Sequence, residues 1–109
     1  MTPSAKLRRQ FFAAFWVEFR VVWPIVSGLV CAQLLLGMMV GYLEGWSMGD
    51  ATYFTFVTGL TIGYGDLVPV RLGARLIAVA IGFSGILLTG LVAAVGVRAL
   101  QLATGDQAR

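Results

Sequence analysis

Two apolar stretches, residues 24–43 and 72–102, leave this chain few ways to fold. As a helix, each is long enough to cross the hydrocarbon core of a bilayer, which takes roughly 20 residues. Of the 109 residues, 59% are hydrophobic and 12% charged, about half the charge of a typical soluble domain. Mean hydropathy is +0.87. Backbone N–H and C=O groups in lipid must be satisfied within the protein, so apolar stretches of this length predict an all-α membrane protein of one small domain. The chain has no histidine, which excludes histidine metal sites, general bases and pH sensors. Its single cysteine, Cys31, lies in an apolar stretch and reads as a small packing residue. A net charge of +3 in so apolar a chain points to topology and contact with anionic lipid, not to nucleic acid.

The segment between the two stretches sets the architecture. Glu44 to Gly49 reads as a short external turn, and Ser47-Met48-Gly49-Asp50 has the spacing of a helix-capping box. A helix over 48–60 follows, too short to span. It must re-enter the side it came from, with irregular backbone after it that protein or water covers. Its C-terminal, partially negative end then points toward the membrane centre. There the chain reads Thr61-Ile62-Gly63-Tyr64-Gly65-Asp66.

The flanks are simpler. Residues 1–23 carry Lys6, Arg8, Arg9 and Arg20 among aromatic residues, and Leu7, Phe11, Phe15 and Phe19 recur every fourth position. This predicts a basic interfacial helix, with the first spanning helix starting at Pro24, where a missing N–H costs nothing. The alternative is a basic, aromatic extension of the spanning helix itself. No small-residue site follows a short apolar core, as a cleaved signal peptide would require. Within 24–43, Gln33 is the one strongly polar interior residue, expected to face a neighbouring helix, and Gly37 with Gly41 permits a close helix approach. Glycines 82, 85, 90 and 96 stud the second long stretch, and residues 103–109 form a short tail. Lys6, Arg8, Arg9, Arg20, Arg98 and Arg109 are six of the eight basic residues and belong on the cytoplasmic side. Arg71 and Arg75 fall on the outer side.

The hexapeptide has a chemistry of its own. A dehydrated cation needs several oxygens at close range, and an ordinary strand turns consecutive carbonyls to opposite sides. Gly63 and Gly65 can leave the usual backbone regions without a Cβ penalty. Thr61 adds a hydroxyl oxygen at the inner end, and Asp66 a negative charge at the outer mouth. One strand offers oxygens from a single side, so a ring of identical copies with head-to-tail contacts is required.

Together these features resemble the two-transmembrane bacterial potassium channels, over roughly residues 24–98. The resemblance implies an outer helix (24–43), a pore helix (48–60), a T-x-G-Y-G-D selectivity filter (61–66) and an inner helix (72–102), assembled as a homotetramer with three further copies. It implies K⁺ sites on the carbonyls of Thr61, Ile62, Gly63 and Tyr64, with Gly65 and Asp66 at the outer mouth and no organic cofactor. Gly85 matches the family's inner-helix hinge, which places Ile86, Thr89, Ala93 and Val97 on the cavity. The expected setting is a bacterial plasma membrane, with both termini cytoplasmic and membrane lipid, including anionic lipid, as partner. Three positions depart from the pattern: Leu60 replaces a threonine, Val57 replaces a buried glutamate, and Tyr53 stands where a tryptophan holds the filter aspartate. The Tyr53 hydroxyl is expected to reach Asp66 instead, and these changes bear on how long the filter stays conductive.

No helix carries arginine at every third position, so no voltage sensor is recognisable, and the tail is too short for a ligand-binding domain. Thr89 and Ala93 are small for a hydrophobic plug, which predicts control at the filter. Three other readings compete. An enzyme lacks support: Gly63 and Gly65 have no third glycine at Val68, and no nucleophile–base pair or metal-ligand cluster is present. A non-conducting, pore-like partner subunit is opposed by the intact filter. A weakly selective cation pore is opposed by Tyr64 and Gly65.

Overall fold

The computed structural model describes the backbone of residues 3–108 and the side chains of 3–105; Arg109, assigned above to the inner side, lies outside the described residues. Three helices follow one another: α1 (Pro3–Glu44), α2 (Met48–Gly59) and α3 (Leu72–Ala108). Two of them, α1 and α3, are long and apolar enough to cross a membrane. At 42 and 37 residues they run to ~63 and ~55 Å, about twice the hydrocarbon core. The residues divide into two compact units, 1–26 with 90–109, and 27–89.

The 27–89 unit holds the outer part of α1, all of α2, the hexapeptide and the first half of α3. Helix α1 ends on Gly45 (φ 73°), whose left-handed conformation lets the Trp46 N–H reach back to the Gly41 carbonyl at 2.9 Å. Helix α2 starts as its capping residues predict: Ser47 Oγ accepts from the Asp50 N–H at 3.1 Å. Val40, Phe54, Ala74 and Ile81 form the buried centre, with Trp46 edge-on to Phe54 at 5.1 Å. Lipid tails are as apolar as these side chains, so close packing holds the centre together more than exclusion of water.

That packing is regular. A Cβ on Gly37 would overlap Thr55 Oγ1, and one on Gly41 would come within 2.6 Å of the Ala51 Cβ. A Cβ on Gly59 would come within 3.0 Å of Gln33 Nε2. Positions 33, 37 and 41 of α1 thus meet 59, 55 and 51 of α2 in antiparallel register, one helical turn apart each time. Gly37 and Gly41 serve the short helix of the same chain, and Gln33 faces it as expected.

The other unit corrects one expectation. Helix α1 does not begin at Pro24; it runs through it from Pro3. A proline inside a helix forfeits one hydrogen bond, which a helix packed among others tolerates. Before it the aromatic side chains follow one another along the helix: Phe11–Phe15, Phe15–Phe19 and Phe19–Trp23 have ring centroids 6.0, 6.0 and 5.6 Å apart, the middle pair stacked and the others tilted. The backbone adopts the alternative reading, an extension of the spanning helix. Phe15 lies 3.9 Å from where a Cβ on Gly96 would stand. On α3 the buried residues of this unit are Val95, Ala99 and Ala103, spaced every fourth position. Residues 103–108 are no separate tail either, because α3 continues to Ala108.

Candidate ion-conduction site

The hexapeptide leaves the C-terminal end of α2, whose last carbonyls have no partners within the helix. The chain returns its own amides to them. Leu60 N–H donates to the Phe56 carbonyl at 2.9 Å, and Thr61 N–H to that of Thr58 at 3.1 Å. Ile62 and Gly63 N–H both turn to the Val57 carbonyl, at 2.8 and 3.3 Å. Across a trans peptide the carbonyl points opposite to the next N–H. With no cis bond among the described residues, the carbonyls of Leu60, Thr61 and Ile62 therefore face away from α2.

Turning successive carbonyls the same way requires every second residue to change hand. The structure has that alternation: Thr61 (φ 63°), Gly63 (φ 62°) and Gly65 (φ 84°) are left-handed, while Ile62 and Tyr64 are not. Gly63 and Gly65 were legible as the permissive positions. Thr61 was not, since a β-branched residue seldom adopts this conformation. All six residues from Thr61 to Asp66 are exposed on the single chain, Tyr64 to 69%.

The outer end is tied by side chains. The Tyr53 hydroxyl donates to Asp66 Oδ2 at 2.8 Å, and the Leu67 N–H donates to Oδ1 at 3.1 Å. The bond to Asp66 is the main cause raising the Tyr53 pKa above its ordinary value of 10.0; desolvation and the charges of Asp66 and Tyr64 add to it. Between Tyr53, Val57, Gly63 and Asp66 lies a mostly apolar hollow of about 260 Å³, in which Asp66 is the one acidic lining residue. Val57 therefore brings no second carboxylate to this place.

At the inner end, Thr61 and Ile86 line one hollow of about 220 Å³ together with Thr58, Val79, Gly82 and Phe83. Thr89, one turn beyond Ile86, is exposed. Ala93 and Val97 are also exposed and belong to the other unit. Gly85 is buried, and a Cβ there would overlap the Gly59 carbonyl oxygen and come within 2.9 Å of its Cα. Close approach of α3 to the end of α2 accounts for this glycine without a hinge.

The family described as "Ion channel" matches residues 11–102. This chain belongs to that ion-channel family. Among curated relatives, two pore potassium channel b of Oryza sativa subsp. japonica is 42% identical over 79 residues, 65% of this chain and 23% of the relative. Two-pore potassium channel 1 of Arabidopsis thaliana is 43% identical over 66 residues, 61% of this chain and 18% of the relative. Potassium channel subfamily K member 17 of Homo sapiens is 41% identical over 44 residues, 40% of this chain and 13% of the relative. The chain spans about a fifth of the length of these relatives. They come from plants and an animal, so they support the wider channel family and not its bacterial branch in particular. No solved structure matches. An ion-channel chain with two helices able to cross a bilayer is a membrane protein.

One tie in this ion-channel chain escaped the sequence reading. Glu44 Oε1 accepts from both the Val70 and Arg71 N–H groups, each at 2.8 Å, fastening the start of α3 to the end of α1. Its signal was available: a carboxylate in the last turn of a helix opposes the helix dipole and calls for a partner elsewhere. Arg75 Nε likewise donates to the Pro69 carbonyl at 3.1 Å, closing the segment after the hexapeptide.

Proposed function

We propose that this chain is one subunit of a homotetrameric, K⁺-selective channel that conducts passively through Thr61–Gly65. The observation that carries the reading is the alternation of hand at Thr61, Gly63 and Gly65, with the amides of Thr61, Ile62 and Gly63 drawn back to α2. Carbonyls of Thr61, Ile62, Gly63 and Tyr64 then replace the hydration shell of the ion, with the Thr61 hydroxyl at the inner end. Asp66 concentrates cations at the mouth. The negative end of α2 favours a cation near the membrane centre. Potassium as the ion is supported by the names of the relatives, which are potassium channels.

Ring closure follows from the same geometry, since one strand cannot surround an ion. Four copies is the number that the resemblance to two-transmembrane potassium channels implies. Ile86, Thr89, Ala93 and Val97 would line the cavity below it. Both termini lie in the cytoplasm, where Lys6, Arg8 and Arg9 meet anionic lipid.

The test is cation flux through purified protein in liposomes, K⁺ against Na⁺, with Gly63→Ala as the control. K⁺ flux well above Na⁺ flux, lost in the variant, is the expected result. Equal K⁺ and Na⁺ flux would replace this reading with a weakly selective cation pore. No flux under any lipid or pH condition would favour a non-conducting partner subunit.

A further inference from the structure

Gln33 stands among apolar neighbours in the spanning helix α1 and is only 8% exposed. Its Nε2 has no hydrogen-bond partner among the described residues. The amide lies against Gly59, the last residue of α2: a Cβ there would stand 3.0 Å from Nε2, 3.4 Å from Cδ and 3.5 Å from Oε1. On its other side Gly59 turns its carbonyl to Gly85 of α3. Three helices thus meet at two glycines and one amide, two residues before Thr61.

Space filling does not explain this choice. A leucine would occupy the same volume and leave no buried donor unpaired, and an unpaired donor in a membrane protein is destabilising. The register of α1 on α2 is already set by the Gly37–Thr55 and Gly41–Ala51 contacts. What the amide touches is the last residue of α2, two residues before the strained backbone at Thr61 (φ 63°).

We propose that Gln33 is a positioning residue for the selectivity filter, holding the end of α2 at the height where the Thr61 and Ile62 carbonyls face the ion path. Through it the outer helix acts on conduction. A Cβ on Gly59 would crowd the amide, and one on Gly85 would overlap the Gly59 carbonyl oxygen. This role rests on the channel reading above.

The experiment compares wild type, Gln33→Leu and Gly59→Ala as tetramers in planar bilayers and liposomes. Open probability, K⁺/Na⁺ flux ratio and heat stability of the tetramer are measured on each. Gln33→Leu keeps roughly the volume and should leave heat stability equal or higher, while open probability falls at least about fivefold, the low end of typical coupling between two sites. Gly59→Ala keeps the amide but crowds it and should lower open probability in the same direction. The double variant should be no worse than the worse single one, because both changes act on one contact. Unchanged open probability in Gln33→Leu, or loss of heat stability with conduction per tetramer intact, would overturn the positioning role. A wild-type protein that passes no K⁺ would instead overturn the channel reading on which it depends.

Discussion

Thr61, Gly63 and Gly65 share a left-handed backbone, yet their constraints differ. A Cβ on Gly63 would meet nothing within 4 Å, so space does not forbid a side chain there. The backbone forbids it: an L-residue in this region costs ~1–2 kcal/mol. In a ring of four copies that becomes roughly 4–8 kcal/mol against the conductive conformation. Gly63→Ala should therefore abolish K⁺ conduction while leaving the packed helices intact, read as flux against the circular-dichroism spectrum of the same sample. Retained K⁺ preference would remove the filter assignment. Thr61 bears the same strain in the native chain, and the Thr61, Ile62 and Gly63 amides bound to α2 hold it there. At the outer end the test residue is Tyr53. Tyr53→Phe removes the donor to Asp66 and should shorten the time the filter stays conductive, with unitary current unchanged. Because the Tyr53 pKa is raised, the neutral, donating form is favoured. Its contribution is complete below the ordinary tyrosine value of 10.0 and is lost as pH rises through the higher folded one. The difference between wild type and Tyr53→Phe should accordingly be the same at pH 7 and pH 8.5; a difference that disappears by pH 8.5 would argue against this bond as its cause.

At the scale of helices, the antiparallel contact of α1 with α2 rests on paired small residues. Gly41→Ala would bring its methyl within 2.6 Å of the Ala51 Cβ, closer than real Cβ atoms approach. Overpacking of this kind costs about 1–3 kcal/mol. Ala51→Gly in the same chain moves the methyl from one helix to the other and should recover most of the loss, less the ~1 kcal/mol that glycine costs within a helix. Chemical denaturation of the two singles and the double checks this, and a double variant no better than Gly41→Ala alone would refute the contact. Much of this level was legible in the sequence. The cap at Ser47, the start of α2 at Met48 and the start of α3 at Leu72 all follow from local rules about capping and prolines. Pro24 is ambiguous in the sequence because the same residue suits either a first turn or a tolerated interior position. The partner of Gly37 and Gly41 was illegible for a different reason. A G-x-x-x-G step announces a close approach without saying to what. Glu44 belongs to the same class, since its two amide partners lie 26 and 27 residues away.

For the assembly, the single chain leaves Ile62, Tyr64, Ile86 and Val97 exposed, between 46% and 69%, on the surfaces that a ring of copies would share. The proposed ions then act as part of the structure. In the proposed tetramer a ring of four filters would turn carbonyl oxygens toward one axis, and those oxygens would repel each other unless a cation lay between them. Any ion that binds the folded ring and not the separated chains stabilises the ring by mass action, by ~2.7 kcal/mol per site at one hundred times its dissociation constant. Sodium is smaller and is held less well by oxygens spaced for potassium. Replacing K⁺ with Na⁺ at constant ionic strength should therefore lower the temperature at which the tetramer dissociates, followed by gel migration or light scattering in detergent. Gly63→Ala, which disturbs the carbonyl ring without touching the contacts between α1 and α2, should reduce the K⁺-dependent part of that stability and leave the remainder. If K⁺ and Na⁺ protect the wild-type tetramer equally, the carbonyls do not form a potassium site. If the variant keeps the full K⁺ effect, the stabilising ion sits elsewhere than at Gly63.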